Sequence, residues 1–174
     1  MASGYDPAGR EVLDCVDELV TNFYPDFVEC QLKIGVMMAY SSELGKPALL
    51  VQGYPQAATI RKISVKDRAQ GMPDLTIYLD SQSWANFNDD ERKSELDKQL
   101  ARYEVVRDKK DKHIKTDSAL RPLLKVRPYD YLLSGYDIHI RRYGTKGVDA
   151  KAIEELSLHY SSQLPISSPR QLAV

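Results

Sequence analysis

The stretch Ser94-Glu95-Leu96-Asp97-Lys98-Gln99-Leu100-Ala101-Arg102-Tyr103-Glu104-Val105-Val106-Arg107-Asp108 contains a change of periodicity. Leu96, Leu100 and Tyr103 stand at i, i+4 and i+7, the spacing of one helix face. Just upstream, Asn88-Asp89-Asp90-Glu91 offers a capping side chain and negative charge for the positive end of a helix dipole. The spacing predicts a helix from about residue 89 to residue 103. The pattern then changes, and Tyr103–Val106 and Leu123–Val126 read as two strands of a hairpin. The very polar run Arg107 to Lys115 forms its tip.

Working outward, residues 7 to 23 predict a helix. Pro7 suits its first turn, and Val12, Cys15, Val16, Leu19, Val20 and Phe23 recur at three- and four-residue spacing. Tyr24-Pro25-Asp26 stops it. Gln31 to Tyr40 is apolar and partly β-branched, a strand pattern. Thr59 to Val65 alternates less regularly, and Leu75-Thr76-Ile77-Tyr78-Leu79, introduced by Gly71-Met72-Pro73-Asp74, is the clearest strand. Downstream, Tyr131 to Tyr143 and Asp149 to Gln163 predict two further helices, followed by a disordered tail over 165–174. The expectation is an α+β fold in a single domain over residues 1–164: a small sheet, an N-terminal helix, a central helix, a hairpin and two C-terminal helices.

The chain has 174 residues, 43% hydrophobic and 28% charged, with a net charge of −1. That is globular composition, and it argues against a generally basic nucleic-acid binder and against an acidic DNA mimic. Cys15 and Cys30 form neither a disulfide framework nor a Cys-x-x-Cys knuckle. No positive segment leads into an apolar one at the N-terminus, and the longest apolar runs are too short to span a bilayer. A cytoplasmic protein with no membrane contact is expected. Nothing specifies an oligomeric state.

His113, His139 and His159 are the three histidines, and no pair has the i, i+4 spacing that lets two imidazoles share a metal. There is no Gly-x-Ser-x-Gly elbow and no glycine-rich phosphate loop. Lys109, Lys110 and Lys112 make a basic run, diluted by Asp108, Asp111 and Asp117. Arg141-Arg142-Tyr143 is a second basic spot, which also suits the negative end of a helix.

Several short phrases in order go further: Gln52-Gly53-Tyr54-Pro55-Gln56-Ala57-Ala58-Thr59-Ile60, Val65-Lys66-Asp67-Arg68, Gly71-Met72-Pro73-Asp74 and Trp84, then Ser94 to Asp108. They continue through Ile114-Lys115-Thr116-Asp117, Arg121-Pro122, Arg127-Pro128-Tyr129-Asp130 and Arg141-Arg142-Tyr143-Gly144. Together they resemble the phage metallopeptidase family, small zincin-like proteins of bacteriophages and prophages, over roughly residues 50 to 145. The resemblance implies a minimal zincin-like domain with a small mixed sheet and a central helix carrying Asp-His-Glu-Leu-x-His, with a third histidine after the hairpin. Two histidines at i and i+4 would hold Zn²⁺, with the glutamate as base on its bound water.

This sequence departs at each of those positions. Lys98 replaces the first histidine, Gln99 the glutamate, Arg102 the second histidine and Tyr129 the third. Lysine and arginine are donors without a usable lone pair, and glutamine cannot take a proton from water. Asp97, Glu104 and Asp130 remain at positions where the resemblance implies supporting acids. Lys98 and Arg102 return two positive charges where zinc is lost, and Asp130 with a neighbouring carboxylate is the expected counter-charge.

Three readings stand. In the first, the chain is a pseudoenzyme with no metal and no cofactor. It binds a host or phage protein, such as a defence or regulatory factor, by strand addition along Leu75–Leu79 or through the basic centre Lys98, Arg102 and Arg127. In the second, it binds nucleic acid through Lys109 to Lys115 and Arg141-Arg142. In the third, it is a peptidase with a displaced site using His113 or His139.

Overall fold

A computed structural model describes residues 2–43 and 45–128, together with residues 151, 153, 154 and 158. The chain divides into two compact units, Met1–Pro128 and Tyr129–Val174, and the described residues fall almost wholly in the first. The single domain expected over 1–164 spans both units. The helix expected over Tyr131 to Tyr143 and the tail over 165–174 lie outside the described residues. Lys151, Ile153, Glu154 and Leu158 are helical, within the span expected of the last helix.

The elements run β1 (Ala2–Pro7), α1 (Arg10–Phe23), α2 (Pro25–Glu29), β2 (Ile34–Ser41), β3 (Leu50–Val51), β4 (Tyr54–Pro55) and β5 (Ala58–Lys62). They continue with α3 (Val65–Ala69), β6 (Leu75–Asp80), α4 (Ser81–Asn86), α5 (Asp89–Leu100), β7 (Tyr103–Val105) and β8 (Leu124–Val126). The main sheet has the order β1-β2-β6-β5. β2 and β6 are parallel, and the two outer strands are antiparallel to their neighbours, so the sheet is mixed, as expected. A parallel pair needs a long crossover, and here it holds the β3–β4 hairpin, β5 and α3.

α1 begins at Arg10, after Gly9, and buries Val12, Val16 and Leu19 on one stripe. Pro7 is not in its first turn. It ends β1 opposite Met37, and an edge strand tolerates a residue without an N–H. Tyr24 caps α1, and Pro25 then opens α2, where its missing N–H costs nothing. Gln31 adopts φ 50°, a left-handed turn after α2, so β2 starts at Ile34 rather than at Gln31. The strand expected to run to Val65 ends at Lys62. Ser64 instead caps α3 by accepting from the Asp67 N–H at 3.2 Å.

β6 lies between β2 and β5, with both edges paired. Strand addition along Leu75–Leu79 is therefore ruled out, because the backbone groups it would need are already used. The helix-facing side of the sheet carries Val36, Ile60, Leu75, Ile77 and Leu79. These pack with Val12, Val16 and Leu19 of α1, Leu96 and Leu100 of α5, and Trp84 of α4. Removing each such side chain from water stabilises the fold by roughly 1.5–3 kcal/mol.

α5 opens with a complete capping box. Asn88 Oδ1 accepts from the Glu91 N–H at 2.9 Å, and Glu91 Oε2 accepts from the Asn88 N–H at 2.8 Å. Such a cap contributes about 1 kcal/mol. The helix stops at Leu100, three residues earlier than the apolar spacing suggests. Tyr103 instead opens β7 opposite Val126, and its hydroxyl accepts from the Lys62 N–H at 3.3 Å. Cross-strand pairing of Tyr103–Val105 with Leu124–Val126 overrides the helical register there.

Candidate functional site

The C-terminal half of α5 turns the sequence of this region into a specific arrangement of charge. Glu95, whose side chain is 14% exposed, is its organising acid. Its Oε1 accepts from Gln99 Nε2 at 2.7 Å, and its Oε2 lies 3.3 Å from the Lys98 ammonium. Gln99 is buried and Lys98 is exposed. Arg102, half-buried just past the helix end, makes no side-chain hydrogen bond or ion pair among the described residues. Its carbonyl accepts from the Arg127 N–H at 2.8 Å, which places the backbone after β8 beside the end of α5.

Asp97 faces the other way. Its carboxylate accepts from the Tyr24 hydroxyl at 2.6 Å, and its carbonyl does so at 3.0 Å, tying α5 to the α1–α2 corner. Burial, followed by the hydrogen bond to Asp97, pushes the Tyr24 phenol far up from its ordinary value. Glu104 pairs with Lys125 at 2.9 Å across the β7–β8 ladder, an exposed pair of small energetic weight. Tyr129, Asp130, Arg141, Arg142, His139 and His159 lie outside the described residues.

The structure thus brings Lys98, Gln99 and Arg102 together around one helix end, with Asp97 and Arg127 nearby. It also supplies a residue that the sequence reading passed over. The carboxylate beside Lys98 is Glu95, three residues before it on the same helix.

A zinc ion does not fit these side chains. Lys98 and Arg102 only donate, and the Gln99 amide is committed to Glu95. Among the described residues no three of His, Cys, Asp and Glu are grouped to hold a metal ion. His113 is exposed in the hairpin tip, 3.9 Å from Asp111.

The tip itself is ordered by its acids. Asp108 accepts from the Lys110 N–H at 2.9 Å and lies 3.1 Å from the Lys115 ammonium, while Asp111 accepts from the His113 N–H at 3.2 Å. These are side-chain-to-backbone turns of the Asx kind. They leave Lys109, Lys110 and Lys112 exposed. Arg107 reaches back to Asp26 and Glu29 of α2, fixing the base of the tip.

A second polar cluster is largely interior. Asp74, with no exposure, accepts from the Lys33 N–H at 2.8 Å and from Arg121 Nε at 2.9 Å, with Arg121 Nη2 on its other oxygen. Arg68, also buried, lies 3.7 Å from Asp74, donates to the Pro122 carbonyl at 3.2 Å and sits 2.5 Å from Asp117. That last contact is an ion pair with poor hydrogen-bond alignment, and Arg68 Nε has no partner. Asp117 also accepts from the Ala119 and Arg121 N–H groups. Arg68, Asp74, Asp117 and Arg121, read in the sequence within four separate phrases, thus meet in one network. It fixes the loop between β7 and β8 to the start of β6.

A family model described as "putative phage metallopeptidase" matches residues 8–157. The chain belongs to that family. Arg68, Asp74, Asp117 and Arg121 form the largely buried polar network of this member of the phage metallopeptidase family. Neither the curated proteins nor the solved structures compared contain a match to the chain.

Proposed function

We propose that this chain is a non-catalytic member of the family: a phage or prophage accessory protein that binds another protein where its relatives would bind substrate. One observation carries the reading. Gln99, which the resemblance puts at the position of the catalytic base, is buried with its amide bonded to Glu95, and Lys98 and Arg102 stand where the resemblance implies metal ligands. A carboxamide cannot accept a proton from water, and the cations disfavour a divalent metal.

The half-buried Arg102, with Lys98 one turn away and Arg127 beside it, supports an acidic partner, and β5 is the sheet edge next to α5. A host factor of defence or regulation, or a second phage protein, is the partner class expected. Affinity capture from host lysate by wild type, compared with a Lys98→Glu/Arg102→Glu variant, tests this. A partner retained by wild type and lost by the variant supports the reading. Peptide cleavage by the purified chain, or capture indifferent to the variant, defeats it.

A second reading rests on the three exposed lysines of the hairpin tip, a candidate contact for nucleic-acid phosphates. Binding of DNA or RNA that weakens steeply with salt would favour it, and no binding at low salt would remove it.

A further inference from the structure

Alternation along the strands sends Val36, Ile77 and Ile60 into the core shared with α1 and α5. The neighbouring residues Gly35, Met37, Thr76, Tyr78 and Arg61 therefore stand on the opposite face of the sheet. They line a groove of about 690 Å³ together with Tyr5 of β1, Met72 and Pro73 ahead of β6 and, from the core side, Val36 of β2 and Leu13 of α1. That volume lies in the range of small-molecule sites, which are largely apolar with a few placed polar groups.

The walls are specific. Tyr5 and Tyr78 meet edge to face, with centroids 5.5 Å apart and planes at 75°. The Arg61 guanidinium sits 5.5 Å from the Tyr78 ring centroid. The space beside Pro73 exists because residue 35 is glycine: a Cβ there would lie 3.0 Å from Pro73 Cγ.

The charges are one-sided. Among the described residues that line the groove, Arg61 is the one ionised group, and no acid faces it. Arg61 is exposed and forms no ion pair with any described residue, which leaves its guanidinium fork open to an incoming anion. We infer that the groove binds a small amphipathic carboxylate. Its apolar or aromatic body would lie against Tyr5, Tyr78, Met37 and Met72, and its single negative charge would lie on Arg61. An aromatic body gains offset contacts with the tyrosine rings, and the carboxylate gains charge-assisted hydrogen bonds from the guanidinium fork. No residue that lines the groove belongs to α5, so the site stands or falls independently of the pseudoenzyme reading.

The test uses the full chain and two probes, 4-phenylbutyrate and its neutral counterpart 4-phenylbutanamide, titrated by calorimetry into wild type and Arg61→Gln. Arg61 is exposed, and an unchanged melting curve confirms that the variant folds. The expected result is saturable 1:1 binding of the carboxylate by wild type. Affinity should fall about tenfold for the amide, and by a similar factor for the carboxylate with the variant, the loss typical of one charged hydrogen-bond partner. Methyl NMR should place the carboxylate at Met37 and Met72. No saturable binding, equal affinity for acid and amide, or shifts confined to other methionines would overturn the proposal.

Discussion

The side-chain amide of Gln99 donates to the carboxylate of Glu95 across 2.7 Å, one turn earlier on α5. The pair fills the flank of the helix where the family resemblance implies a general base. Glu95 also carries Lys98, so one acid neutralises one of the two cations and satisfies the amide beside it.

Gln99→Glu therefore does not restore a base at no cost. It sets a second carboxylate against Glu95 in a buried flank, and one of the two then holds its proton at a raised pKa. Such a group is least harmful when protonated, so the destabilisation grows as pH rises through its folded value. Thermal melting should show a small loss at pH 5 and a larger one, about 1–3 kcal/mol, at pH 8. A pH-independent difference would mean that the new carboxylate turns out to solvent.

Asp74 receives both Arg121 and the Lys33 amide with no exposure. Asp74→Asn leaves buried guanidinium charge uncompensated and should cost about 3–5 kcal/mol in denaturant unfolding. Lys98→Met removes only an exposed pair and should change stability by less than about 0.5 kcal/mol. If the two variants proved equally costly, the structural weight assigned to the interior network would be misplaced.

Asp80 caps α4, accepting from the Ser83 N–H and hydroxyl at 2.8 Å each, and also accepts from the Ala48 N–H at 2.6 Å. Burial pushes its carboxyl up, but these hydrogen bonds outweigh burial and hold it below the ordinary aspartate value. A depressed folded value means that the stabilisation is fully present above the unfolded aspartate pKa, near about 4. It is lost as pH falls through the folded value. The melting-temperature gap between wild type and Asp80→Asn should thus be widest near neutrality and close on acidification. A gap that widens in acid would reverse the assignment.

Arg102 separates function from fold. Its side chain has no partner among the described residues, so Arg102→Met should leave the melting temperature within about 2 °C, a near-neutral surface change. Capture of an acidic partner by the same variant should fall. A large loss of stability would show that the guanidinium serves the fold instead.

How much of this was legible in the sequence depended on distance along the chain. The α5 cap, its Leu96–Leu100 stripe and the β7–β8 hairpin come from local patterns, and each lies within two or three residues of its expected place. β1 was missed because Ala2–Pro7 contains Gly4, Asp6 and Pro7, residues poor in strands, and is held by pairing to β2. The Arg68–Asp74–Asp117–Arg121 network was visible only as separate phrases. Arg68 and Asp117 are brought together by tertiary folding, which no periodicity encodes. Glu95 was overlooked for a related reason: i, i+3 and i, i+4 spacings permit its contacts, but side-chain conformation selects them. The exchange of zinc ligands for cations that the resemblance implies was read from residue types alone.

The central claim is that this family frame lacks a zinc site. Its most direct test is metal analysis by mass spectrometry of the full chain, purified from cells grown with added zinc and without chelators. The account predicts far less than one zinc per chain, with no change in melting temperature on adding EDTA. One zinc bound per chain, with chelation lowering the melting temperature, would contradict it.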